Sequence, residues 1–214
     1  MTSELALPAE ALDDDDSQRG QTPSQTLGPF FHPGLVRPAP DGRATIGNVL
    51  ASEASDGTRI RVRGGVYDGV GKPVSDALLE IWQADAHGRY QHPLDRQNRL
   101  RDSAFHGFGR CATDAEGQYW FDTIKPGVVP GPGGSVQAPH IGMIVLARGL
   151  LLHLFTRIYF HGDAQHARDP VLACVDAARR DTLIARLSEI SAGVAEYVFD
   201  VRLQGEHETV FFEV

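Results

Sequence analysis

A chain of 214 residues, 42% hydrophobic and 22% charged, can bury a real core, and its balance is that of a globular protein rather than a disordered or fibrous one. A formal net charge of −8 excludes a general nucleic-acid surface, which needs a basic patch. No apolar run reaches the roughly 20 residues that cross a bilayer, and the two cysteines, Cys111 and Cys174, make neither a disulfide framework nor a C-x-x-C metal clip.

Residues 1–21 are acidic and rich in small side chains, with the run Asp13-Asp14-Asp15-Asp16. Such a segment buries too little apolar surface to offset its ordering entropy, so a disordered tail is expected. No basic stretch followed by an apolar one opens the chain, which makes cytoplasm the expected compartment and free, packed thiols the expected state of both cysteines. Residues 22–33 hold Pro23, Gly28, Pro29 and Pro33, which forbid a helix, yet Phe30 and Phe31 need an apolar surface to lie on. They read as an extended arm. From residue 22 to 214 the chain is expected to form one domain that includes this arm.

Short strand signals separated by turns dominate the body. Ile60, Val62 and Val66 lead into the turn Tyr67-Asp68-Gly69, and 77–84, 118–124 and 140–146 are further strands. Residues 150–160 follow the break at Arg148-Gly149, which predicts a hairpin. Leu183, Ile184, Leu187 and Ile190 make an apolar stripe at helical spacing, so a helix is expected over 178–191. Tyr197, Phe199, Val201 and Leu203 alternate as a strand does, and 209–214 is expected as a last strand. Many strands with one late helix predict a mainly β fold, a β-sandwich core with one or two peripheral helices.

The stretch Ala138-Pro139-His140-Ile141-Gly142 carries most of the functional information. Residues two apart on a strand share a face, so a His-x-His pair there would aim both imidazoles at one ion. Gly142 has no side chain to offer. Read alone, His140 is a packed core histidine and Tyr90 a hydrogen-bonded phenol; His87, His92, His106, His153, His161 and His166 show no ligand spacing.

A set of words along the chain extends this observation: Thr22-Pro23-Ser24-Gln25-Thr26-x-Gly28-Pro29, Glu80-Ile81-Trp82-Gln83-Ala84-Asp85-Ala86, Gly88-x-Tyr90 and Phe108-Gly109-Arg110. Lys125-Pro126-Gly127-Val128-Val129, Thr156-Arg157-x-Tyr159-Phe160 and Gly205-Glu206-x-Glu208-Thr209-Val210-Phe211-Phe212 continue it. In this order and spacing the chain resembles the intradiol ring-cleavage dioxygenases. That family holds a non-haem ferric ion with two tyrosines and two histidines, a donor set in which hard phenolate oxygens compensate the charge of Fe(III). The resemblance implies that one tyrosine ligand falls on Tyr90 and one histidine on His140, while the other two positions fall on Val129 and Gly142. A helper arginine falls on Gln137.

Correlated loss of this kind implies a subunit that binds no metal itself and is inactive alone. Its expected partner is a homologous, iron-bearing beta subunit, in a higher assembly of such pairs. The pair would cleave protocatechuate with O2 to 3-carboxy-cis,cis-muconate. On the same resemblance Thr26, Gly28, Pro29 and Arg148 would line the partner's substrate pocket, Arg148 facing the ring carboxylate. Contact with nucleic acid or membrane is not expected. The rival reading is a β-sandwich module that binds a ligand or serves structure without a role in turnover.

Overall fold

The computed structural model describes residues 35–36, 46–97, 102–191 and 193–213. The acidic tail and the arm at 22–33, with Thr26, Gly28 and Pro29, lie outside the described residues.

Alternation of buried and exposed side chains makes the strands. In β1 (Arg59–Tyr67), Ile60, Val62 and Val66 point inward while Arg61 and Arg63 face out. β2 (Leu78–Gln83), β3 (Phe108–Ala112), β4 (Gln118–Ile124), β7 (His140–Leu146) and β8 (Leu154–Phe160) follow, with a two-stranded ribbon of β5 (Val129–Pro130) and β6 (Val136–Gln137) between β4 and β7. β9 (Ile184–Ser191), β10 (Val194–Val198) and β11 (Val201–Arg202) close the series.

Two groups of strands face each other, β4-β1-β10-β9 and β8-β7-β2-β3. They join where β9 runs parallel to β8, at Tyr159 opposite Ile184 and Phe160 opposite Ala185. The mainly β, sandwich-like expectation is met. Ile60, Val62 and Phe121 from one group meet Leu79, Ile81, Ile141, Met143, Val145 and Ile158 from the other in a common core. Fully buried Gln83 ties the groups together: its Oε1 accepts from the Thr123 hydroxyl at 2.8 Å and its Nε2 donates to the Ile124 carbonyl at 3.0 Å. The β7–β8 hairpin forms as expected, with strand pairing beginning at Leu154 rather than at 150.

Three expectations need correction. Residues 178–191 are not a helix: a 3₁₀ turn over Ala177–Leu183 runs into β9. The four-residue stripe mimicked a helical face, but only Leu183 of it is fully buried, while Leu187 and Ile190 are 45% and 69% exposed. Ladders to β10 and β8 decide the segment, because tertiary pairing outweighs a short periodic signal. A peripheral helix does exist, α1 (Pro170–Cys174), started by Asp169, whose carboxylate accepts from the Val171 and Leu172 N–H groups. The C-terminal segment does not form a strand: it meets the sheet at the isolated bridge of Phe155 with Phe212, at Thr209 against Arg202, and where the Thr156 hydroxyl donates to the Val210 carbonyl. Finally, Cys174 is exposed rather than packed, while Cys111 is half-buried; both thiols are free.

Candidate functional site

The turn after β2 carries Tyr90. Asp85, buried at its start, accepts N–H bonds from His87 and Arg89, both at 2.9 Å, and so folds the chain back. Gly88 sits at φ +78°, and a Cβ there would lie 1.8 Å from the Val128 carbonyl oxygen. Only glycine allows this turn to press against residues 127–128, where the Gly127 N–H donates to the Asp85 carbonyl at 2.9 Å. The words Gly88-x-Tyr90 and Lys125-Pro126-Gly127 are thus two sides of one backbone contact. The Tyr90 N–H donates to Asp95 at 2.7 Å, and its ring stacks on Trp82 with centroids 6.0 Å apart and planes 9° from parallel. Burial raises the Tyr90 phenol above its ordinary pKa, an effect the Arg157 charge partly offsets.

His140 opens β7 on the face opposite to Ile141, Met143 and Val145, which fill the core. Its Nδ1 donates to the Ala138 carbonyl at 2.8 Å, leaving Nε2 as the acceptor nitrogen, 3.5 Å from the Tyr90 hydroxyl. Burial first, and the nearby Arg157 charge second, lower its pKa from 6.5 to about 4, so the ring is neutral near pH 7. Tyr90 and His140 therefore form a preorganised oxygen–nitrogen pair.

The other two positions of the frame hold no donor. Val129 is buried in the β5–β6 ribbon opposite Gln137. Gly142 lies between Trp82 on β2 and Arg157 on β8, and a Cβ there would meet the Phe155 ring at 3.4 Å. Arg157 projects on the same face, donating to Gln137 Oε1 at 2.6 Å, with the Tyr159 hydroxyl 3.5 Å away. Tyr159 in turn donates to buried Asp169 at 3.3 Å, and Asp169 accepts from the Ala138 N–H at 2.7 Å. Beside this cluster opens a cleft of about 500 Å³ lined by Trp82, Tyr90, Val129, Pro130 and Gln137 among others.

Tyr90, His140, Val129 and Gly142 are thus brought together, and Arg148 is not. It stands in the β7–β8 turn, eight residues beyond His140 and hence roughly 25 Å away along the strand. Its Nε pairs with Asp76 at 2.9 Å, and its side chain is 62% exposed beside the exposed Leu151 and Leu152. Arg157 and Asp169 were given no role by sequence reasoning. The signal for Arg157 was present in its i, i+2 spacing with Tyr159 on a strand; nothing local marked Asp169, which acts across distant segments.

A mainly β sandwich that brings Tyr90, His140, Val129 and Gly142 together is the setting in which comparison with known proteins gives the class. A family model described as Dioxygenase matches residues 28–205, and the chain belongs to that family, the intradiol dioxygenases. Among curated relatives it is 46% identical to the protocatechuate 3,4-dioxygenase alpha chain of Pseudomonas putida over 199 residues, spanning 90% of this chain and 96% of that one. It is 42% identical to the protocatechuate 3,4-dioxygenase beta chain of Burkholderia cepacia over 158 residues, 72% of this chain and 67% of that one. Among solved structures, 3-chlorocatechol 1,2-dioxygenase of Rhodococcus opacus 1CP superposes with a TM-score of 0.59 at 26% identity, over 86% of this chain and 72% of that one.

The residues at the frame do not fit the family's ferric ion. Two of four donors are gone, and a guanidinium adds positive charge where a trivalent cation would have to sit close by. Among the described residues, no group of three or more His, Cys, Asp or Glu side chains is placed to hold a metal, and no helix is long and apolar enough to cross a membrane.

Proposed function

We propose that this chain is the alpha subunit of a protocatechuate 3,4-dioxygenase and completes the substrate pocket of a homologous beta subunit that holds Fe(III). The pair opens the protocatechuate ring between its two hydroxylated carbons, adding both atoms of O2 to give 3-carboxy-cis,cis-muconate. The observation that carries the reading is the frame itself: Tyr90 and His140 are kept, while Val129 and Gly142 stand where the other two ligands belong. The ferric ion of the partner supplies the activation of the catechol toward oxygen. The work assigned to this chain is recognition.

Arg148 faces the ring carboxylate. Asp76 takes its Nε, which leaves both terminal amino groups as a fork for a carboxylate. The exposed Leu151 and Leu152 beside it give a partner an apolar edge to cover. The arm residues Thr26, Gly28 and Pro29 line the same pocket, with Gly28 and Pro29 allowing close backbone approach at little entropic cost. The proposed unit spans residues 22–214, preceded by an acidic tail over 1–21, and cytoplasm is its proposed compartment.

The test is iron content and protocatechuate-dependent O2 uptake, measured on the purified chain and again after co-expression with a beta subunit. The expected result is neither in the chain alone and both in the complex. Stoichiometric iron with turnover in the isolated chain would overturn the assignment.

A further inference from the structure

We infer that the Arg157 guanidinium is an internal substitute for the metal, and that its charge keeps a ferric ion from the two donors that remain. The inference deepens the proposed function, since it rests on Tyr90, Val129, His140 and Gly142 being the four ligand positions. Register supplies the first argument. Arg157 is the β8 partner of Gly142, one vacated position, and it donates at 2.6 Å to Gln137, the β6 partner of Val129, the other. The guanidinium therefore links the strand neighbours of both lost ligands, on the face that presents His140 and Tyr159.

Charge supplies the second. Arg157 is half-buried, and among the described residues it has no carboxylate within ion-pairing distance; its hydrogen-bond partners are the neutral Gln137 amide and the Tyr159 hydroxyl. Its field reaches Tyr90, His140 and Tyr159 together. Asp95 beside Tyr90, and Asp169 hydrogen-bonded to Tyr159, oppose that field but less strongly than Arg157 exerts it. A cation only partly compensated among these donors does in part what a bound metal would do electrostatically, and it repels another. Restoring the missing side chains is then not sufficient to restore the site. A Cβ at Gly142 would stand 3.3 Å from the Trp82 carbonyl oxygen and 3.4 Å from the Phe155 ring, close contacts that every variant carrying G142H shares. What distinguishes the variants is the charge.

Three variants of the full chain decide the matter: V129Y/G142H, V129Y/G142H/R157K and V129Y/G142H/R157Q, each shown to be folded by circular dichroism and a cooperative melt. Ferric ion is titrated in and read by stoichiometry and by the visible absorption of phenolate bound to Fe(III). The expected result is at least about a hundredfold tighter ferric binding, with the visible band, for the R157Q variant alone, the R157K variant behaving as the double variant does. Equal binding by all three, or none by any folded variant, would overturn the inference. Neither outcome depends on turnover with a partner, so failure here is distinguishable from failure of the proposed function.

Discussion

At the scale of single residues, His140 and Arg148 represent opposite environments. His140 is 5% exposed and neutral, its pKa lowered to about 4 by burial and then by Arg157. A folded-state pKa below the unfolded value means that the unfolded chain binds the extra proton first. The stabilisation is therefore complete above about pH 6.5 and is lost as pH falls from there toward 4, by about 3 kcal/mol in all. Denaturant unfolding measured between pH 4 and 8 should show this decline, and His140→Gln should flatten it; an unchanged slope would place the acid sensitivity elsewhere. Arg148, 62% exposed, contributes little to folding through Asp76, within about 1 kcal/mol after solvent screening. Its loss should be felt in binding. In the complex, Arg148→Ala should raise KM for protocatechuate at least about tenfold, the worth of a charge-assisted pair, while KM for unsubstituted catechol stays within about twofold. Equal effects on the two substrates would remove Arg148 from carboxylate recognition.

At the scale of elements, the site is built by loops that glycine allows to touch. The 85–90 turn and the 125–129 segment meet at Gly88, where a Cβ would stand 1.8 Å from the Val128 carbonyl oxygen at a positive φ. Gly88→Ala should destabilise the chain by at least about 2 kcal/mol and displace Tyr90 from Trp82. A melting temperature within a degree or two of the parent, with unchanged tyrosine and tryptophan fluorescence, would contradict this contact. The segment 184–191 teaches the converse lesson. Leu187 and Ile190 fell at helical spacing, but β10 and β8 supply pairing edges that a local pattern does not reveal, and the backbone follows the edges.

At the scale of the whole molecule, β7 joins two regions to which the proposed function gives different roles. At its start stands the vacated frame of Tyr90, Val129, His140 and Gly142; at its end, roughly 25 Å on, stands Arg148. On the proposed function, one strand thus separates a pocket this chain does not equip from a guanidinium offered to a neighbour. The expectation of iron and O2 uptake only in the co-expressed complex belongs at this scale, because the proposed function divides the oxidising site between two chains.

The sequence by itself determined most strands and the family to which the chain belongs. The alternation of Ile60, Val62 and Val66, and that of His140 with Ile141, are local patterns whose physical cause is side-chain direction on a pleated strand, while the Gly88-x-Tyr90 word marks a turn that requires glycine. The sequence also placed a valine and a glycine, which have no side-chain donor, at the two positions where the resemblance expects ligands. Only the tertiary structure decided what surrounds those positions. Arg157, Gln137 and Asp169 act on one another across strand register and loop packing, so no spacing along the chain displays their contacts. The course of 184–191 was settled the same way, by which strand edges were open to it, because backbone pairing is a property of neighbours in space.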